Sequence, residues 1–467
     1  MRTPPIFLLL VATLSWLATT ALCYNSRKIA MKKNFIYRLY LADKKGSPYS
    51  ITHPEQYLSQ RAIRRRQRQA IAIDSTDLPV SPAYVARVKQ AGLTVMGTSR
   101  WHNTITVSSS KDNIAINLAA LPFVKKWFKL YESPDSVKPM MRNEIENHES
   151  TTTSQHNVYG SGYRQIQLEN GILLHNAGFR GKGMLIAILD AGFNNADKIE
   201  ALSNVSIKAT ADFAPRRSAN IFAEHAHGTM VLSVMAANNS SIMTGSAPEA
   251  DYALIRTEDM ETETPAEEDS WTMGAEFADS IGADLINSSL GYTHWDGDTM
   301  RLHLRDLNGQ SYVSQTAAML ASKGIILCNS AGNEGSSSWH KVNIPADATD
   351  ILTVGAIDTD SLSAPFSSLG PTQDGRIKPD ISAMGVNVSV IGSNGVKTTN
   401  NGTSFASPIV CGLTACLWQA LPTLNARQLM SLIRLSADRA QWPDNVYGYG
   451  IPDFWKAYNN ATSGFKK

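Results

Sequence analysis

At 467 residues, with 43% hydrophobic and 18% charged residues, the chain has an ordinary globular balance and the length for two or three domains. A formal net charge of +2 removes the electrostatic case for a nucleic-acid partner. The N-terminus is the first informative segment. Arg2 precedes the uncharged stretch 6-IFLLLVATLSWLATTALC-23, which ends in the Ala-x-small pattern Ala21-Leu22-Cys23. That predicts a secretory signal peptide over 1–23, and so an exported protein, whether extracellular, periplasmic or held at the cell surface. No later segment is apolar enough to predict a membrane span.

Loss of Cys23 leaves Cys328, Cys411 and Cys416, an odd number that argues against a disulfide framework. Cys411 and Cys416 fall five apart on an expected helix and point about 140° from one another. They read as small buried hydrophobes, with a bridge from Cys328 to one of them left open.

Residues 34–131 alternate short pieces. Strands are expected at 34–41, 93–97, 103–109 and 123–130, and helices at 55–69, 82–90 and 112–121, making a small α+β unit. Within the first helix, 61-RAIRRRQR-68 reads as a solvated basic face, with a processing or docking site as the alternative. Residues 132–156, polar with Pro, Ser and Thr, form an exposed linker.

The pattern then changes. Apolar runs at 184–189, 252–256, 284–290, 325–330 and 351–356 alternate with helix-like segments at 164–178, 229–238, 267–282, 314–324 and 405–421. The fold class expected over 157–467 is α/β, a parallel β-sheet with helices on both faces. Such sheets carry their chemistry just past the carboxyl ends of strands.

Four positions fit that rule or open a helix beside it. Asp190 ends the first run, and His227, in 225-HAHGTMVLSVMAA-237, opens an apolar helix. Asn333 follows the run 325-IILCNSAGNEG-335, and Ser404 sits in 400-NNGTSFASP-408. Each has a plainer reading alone: a loop cap, a structural imidazole, a turn former, and a helix N-cap at Ser404 or Thr403.

Taken together, in that chain order and with LDAGF, HGT, SAGNEG and GTSFASP around them, they resemble the subtilisin-like serine peptidases over roughly 164–455. The segments 288-SSLGY-292 and 366-FSSLGPTQDGRIKPDISAMG-385 are similar to that family as well. The resemblance implies a secreted serine endopeptidase in which Ser404 attacks, His227 relays the proton and Asp190 orients the imidazole. Asn333 would form the oxyanion hole, Ser289, Leu290 and Gly291 would pair with the substrate backbone, and Ala331 and Gly332 would wall the pocket. It also implies that 34–131 is a propeptide acting as an intramolecular inhibitor, with the processing cut in 132–156. Protein or peptide substrates and a monomer are expected.

No cofactor is required for the chemistry and no metal site is assigned. Structural calcium is common in the family and Asp296, Asp298 and Asp306 offer oxygens, yet no EF-hand-type loop is present. Two departures stand out. Ala191 follows Asp190 where many members carry Thr or Ser, and 293–311 reads as an insertion. The acidic stretch 258-EDMETETPAEED-269 is expected to be a solvated loop. An α/β-hydrolase is excluded because Ser404 lacks G-x-S-x-G and the triad order differs. The rival reading is a catalytically silent scaffold that binds peptides.

Overall fold

The computed structural model describes residues 33–132, 158–296 and 302–463. The expected signal peptide, the linker beyond Glu132 and Asp298 lie outside those residues.

The N-terminal unit is a four-stranded antiparallel sheet of β1 (Phe35–Leu41), β2 (Thr94–Ser99), β3 (Thr104–Ser109) and β4 (Val124–Glu132), in the order β2-β3-β1-β4. Helix α1 (Gln60–Arg68) starts where the Ser59 hydroxyl accepts from the Ala62 amide, and α2 (Pro82–Gln90) starts on a proline, which already lacks the amide a first turn cannot use. The expected helix 55–69 is thus shorter: Pro54–Gln56 forms a separate 3₁₀ turn. Only one turn, Ala115–Leu118, forms in 112–121.

Strand β1 is core on both sides. Phe35, Tyr37, Leu39 and Leu41 pack into the unit's own core with Val88, Ile105, Val107 and Leu118. The alternate residues point the other way, and Ile36 packs on Ala266 of the second unit. This is the period-two alternation of a strand with a partner on each face.

The larger unit holds β5 (Leu185–Asp190), β6 (Ser206–Asp212), β7 (Asp251–Arg256), β8 (Leu285–Ser288), β9 (Ile326–Ser330), β10 (Leu352–Ile357) and β11 (Ile381–Met384). Their order is β11-β10-β9-β8-β5-β7-β6 and every pairing is parallel. Strand β5 splits its side chains between two cores. Ile186 and Ile188 join Val231 and Leu232 of α5 (His227–Ala236) and Ile409 and Leu413 of a later, central helix (Thr403–Ala420). On the other face Leu185, Ala187 and Leu189 join Trp271 and Ala275 of α6 (Ala266–Ile281) and Val313 and Ala317 of α7 (Tyr312–Ser322). Helices on both faces of a parallel sheet are therefore established. With α3 (Tyr163–Gln167) and α4 (Gly171–Asn176) ahead of α5, the central helix is α8; α9 (Ala426–Ser436) and α10 (Phe454–Ser463) follow. The expected helix 164–178 breaks into α3 and α4 at Asn170, whose φ of 55° is left-handed. Among the described helices none is long and apolar enough to cross a membrane.

The two units meet where the N-terminal sheet lies on α6 and α7, and there two charge readings are corrected. Only part of the Arg run is solvated: Arg64 and Arg68 are exposed, but Arg65 and Arg66 are 3% and 1% exposed and both bind Asp279. The acidic stretch is not a solvated loop: Glu258, Asp259, Glu263, Glu267, Glu268 and Asp269 are all buried. The Arg38 Nε donates to both Asp269 oxygens at 3.0 and 2.9 Å, and its Nη2 lies 3.3 Å from Glu268. Glu276 accepts from the Ser99 hydroxyl and from the Arg100 and Trp101 amides at 2.5, 2.9 and 3.1 Å. Glu268, Asp269, Glu276 and Asp279 find their partners in the N-terminal unit, whereas Glu258 accepts from Tyr292 and Asp259 pairs with Arg216 within the larger unit.

Candidate active site

Asp190 is the last residue of β5 and is fully buried. Its Oδ1 accepts from the Ala191 amide and from His227 Nδ1, each at 2.8 Å. That second bond fixes the proton on Nδ1 and leaves Nε2 as the ring's basic nitrogen. His227 opens α5 with its side chain 20% exposed, so the ring spans from a buried carboxylate to solvent.

Gly228 makes the approach of α5 to β5 feasible. A methyl group there would collide with the Gly192 carbonyl and stand 3.0 Å from the Asp190 Cβ. Thr229, fully buried, ties the turn down by donating to the Asn194 carbonyl at 2.8 Å. His225 is not idle: its Nδ1 accepts from the His227 amide at 3.2 Å.

Ser404 is the second residue of α8, so it does not cap the helix; the cap is Gly402, whose φ of 147° suits only glycine. The first turn of α8 is pinned to the end of β8 in both directions. Ser289 Oγ donates to the Ser404 carbonyl at 2.9 Å, and Ser404 Oγ donates to the Ser289 carbonyl at 3.4 Å. Asn287 supports this contact, donating to Ser289 Oγ at 3.1 Å and accepting from Ser407 Oγ at 2.9 Å. The adjacent Phe405 ring lies 5.8 Å from the His227 ring, centroid to centroid, which places α8 beside the imidazole.

Asn333 follows β9 and is exposed. Its Oδ1 accepts from the Thr403 amide and the Thr403 hydroxyl, each at 2.9 Å, while Thr403 Oγ1 accepts from the Gly332 amide at 3.2 Å. The Asn333 Nδ2 lies beside Gly402, 3.5 Å from where a β-carbon on that residue would stand. Thr403 is thus a positioning residue that sequence reasoning treated only as a cap.

Leu290 follows Ser289, and its carbonyl accepts from Asn329 Nδ2 at 3.3 Å. Beyond Gly291 the strand is held by reciprocal Tyr292–Ile344 backbone bonds at 2.8 and 3.1 Å. Ala331 is fully buried and its carbonyl accepts from the Asn343 amide at 3.2 Å. The Gly332 carbonyl accepts from the Ser368 amide at 3.0 Å.

Of the oxygens considered for calcium, Asp296 accepts from the Glu263 amide at 2.7 Å and Asp306 from the His303 amide at 2.8 Å. Among the described residues no cluster of three or more His, Cys, Asp or Glu is arranged to hold a metal.

An Asp-bound imidazole thus stands beside a helix whose second residue is a serine, on a parallel sheet. The comparisons agree: the subtilase family matches residues 181–450, more than half of the chain, and the chain belongs to that family. A Bacteroidota peptidase S8 propeptide domain matches residues 36–150. Subtilisin NAT of Bacillus subtilis subsp. natto is 30% identical over 280 residues, 59% of this chain; the match spans 65% of that protein's length. A thermostable alkaline protease of Halalkalibacterium halodurans is 29% identical over 328 residues, covering 70% of this chain and 79% of that protein. Among solved structures, MycP1 from the ESX-1 type VII secretion system shares the fold, with a TM-score of 0.52, 20% identity and coverage of 70% of this chain and 93% of that one.

Proposed function

We propose that the protein is an exported serine endopeptidase, made as a self-processing zymogen and acting as a monomer on protein or peptide substrates. The observation that carries the reading is the 2.8 Å bond between His227 Nδ1 and buried Asp190, with Ser404 at the start of the neighbouring helix.

Ser404 Oγ attacks the peptide carbonyl while His227 takes its proton and later gives it to the leaving amine. Asp190 keeps the imidazole in the required tautomer and stabilises its cation. The Asn333 NH₂ and the Ser404 backbone amide receive the oxyanion, at the positive end of the α8 dipole. An extended substrate lies along Ser289 to Gly291, with Ala331 and Gly332 beside its leading side chain. An acyl-enzyme forms and water releases it.

The N-terminal unit, 34–131, blocks the cleft until the chain is cut in 132–156. The burial of its arginines against α6 supports an inhibitor that docks as one body. The test is the intact mass of the chain from residue 24, with and without Ser404→Ala. Shedding of the N-terminal unit by the unsubstituted protein alone supports the reading. Two full-length products, both silent to a serine-reactive fluorophosphonate, would sink it.

A further inference from the structure

Gly291 and Gly332 belong to the two segments between which the substrate side chain just before the cut would lie. A β-carbon on Gly291 would overlap the side-chain amide of Asn343. One on Gly332 would stand 3.0 Å from the Asn343 Nδ2 and 2.8 Å from Ser368 Oγ. A single amide group therefore fills the gap that two absent side chains leave between the walls. Asn343 is carried there by its backbone. Its backbone N–H donates to the Ala331 carbonyl at 3.2 Å on one wall, and the next residue, Ile344, exchanges backbone bonds with Tyr292 at 2.8 and 3.1 Å on the other.

The polar atoms of that group are not satisfied. Asn343 is 6% exposed, and its Oδ1 is buried without a hydrogen-bond partner. A buried amide oxygen in that state costs free energy until a bound group supplies a donor. The atoms nearest the two glycines, from the Asn343 side chain and the Ser368 hydroxyl, are uncharged.

We propose that Asn343 determines specificity: it shortens the pocket and selects, just before the cut, a short uncharged side chain that donates a hydrogen bond, namely Asn, Ser or Thr. The inference rests on the endopeptidase reading and deepens it. Size acts first, because the amide occupies the space that an aromatic or long aliphatic side chain would need. Polarity acts second. An apolar side chain would seal the Asn343 amide from water without supplying a donor, and such a mismatch discriminates more strongly than size alone. A charged side chain would lose its water against uncharged groups, with no opposite charge in return. Asn, Ser and Thr can each donate and accept, so the match holds whichever way the Asn343 amide is turned.

The experiment measures kcat/KM of the active protein, made from the chain from residue 24, on peptides that differ only in the residue before the cut: Asn, Ser, Phe, Leu or Lys. Labelling by a fluorophosphonate shows which preparations hold an assembled serine site. The unsubstituted protein should favour Asn and Ser over Phe and Leu by about tenfold or more. Asn343→Gly should raise the value for Phe by about tenfold or more and lower that for Asn. Asn343→Leu, which refills the gap without polar atoms, should lower the value for Asn without admitting Phe. A labelled unsubstituted protein that prefers Phe, Leu or Lys would overturn the inference while leaving the peptidase reading intact, and so would a labelled Asn343→Gly with unchanged preferences. If a variant fails to label, the preference of the unsubstituted protein decides alone. An unsubstituted protein that neither labels nor cleaves would sink the peptidase reading and the inference with it.

Discussion

Arg66 and Asp279 stand 213 residues apart in the chain, and Arg66 Nη2 reaches both oxygens of Asp279 at 2.9 Å. Arg65 and Arg100 bind the same carboxylate. Burial pushes the Asp279 carboxyl up, but the three guanidinium groups, Arg66 foremost, hold it well below the usual carboxylate range. Asp279→Asn should therefore leave three arginines facing a neutral side chain. We expect the Ser404→Ala precursor to lose about 3–5 kcal/mol, the scale for removing one partner of a buried ion pair, read by urea unfolding. A loss below about 1 kcal/mol would mean that water reaches the site freely.

Acid should act on the same interface through His102. Its Nε2 meets Thr316 Oγ1 at 2.7 Å, and burial, helped by the Arg38 charge, pushes its pKa down to about 4. The group stays neutral in the docked protein, whereas the unfolded chain takes up a proton near its ordinary value of about 6.5. Stability from this residue is thus lost as pH falls from about 6.5 to about 4 and changes no further below that. Urea midpoints of the precursor across that window should show the decline, and His102→Gln should flatten its share.

Glu169 predicts a trend of the opposite sense. Burial raises its carboxyl to about 8 from an ordinary 4.5, so it is protonated in the folded protein where the unfolded chain is ionised. Stability falls as pH rises between about 4.5 and about 8. Glu169→Gln should raise the thermal midpoint near the top of that window and change it little at the bottom.

The oxyanion role proposed for Asn333 is read in turnover. Asn333→Ala should cut kcat by about 10²–10³ with KM little changed. An equal fall in kcat/KM carried by KM alone would assign the residue to substrate binding instead.

Gly228→Ala tests the approach of α5 to β5. The added methyl has the Gly192 carbonyl and the Asp190 Cβ in its way, so the helix start must shift. A stability loss of about 1–3 kcal/mol and a fall in kcat of about 10²-fold are expected, because misplacing His227 costs more in rate than in fold.

The candidate site could be proposed from the sequence because its determinants are local. Asp190, Asn333 and Ser404 sit at strand ends or a helix start, and neighbouring glycines mark where backbones must approach. The α/β alternation was legible for the same reason, since β5 and β7 to β10 each carry an apolar run and are buried along their length except at Asp251. Three things were not. Asn170 takes a left-handed conformation that no periodicity announces, which splits one expected helix in two. Strand β6 is half-exposed and lies at the sheet edge, so it has no apolar run to read. The charges were misread because a run of arginines looks solvated until its counterpart is known. Arg38 finds Asp269 231 residues away, a relation invisible to any local window. The Asn425 to Gln428 capping box at the start of α9 was a readable signal that was passed over.

Strand β1 has no outside. Its odd residues fill one core and Ile36 and Arg38 face α6, so a polypeptide parted from α6 would carry a flayed surface of one isoleucine, one unpaired guanidinium and the aromatic ring of Tyr40. A separated N-terminal unit would keep its own core yet hold this face in water, so that its return to α6 would compete with degradation of whatever fraction opens.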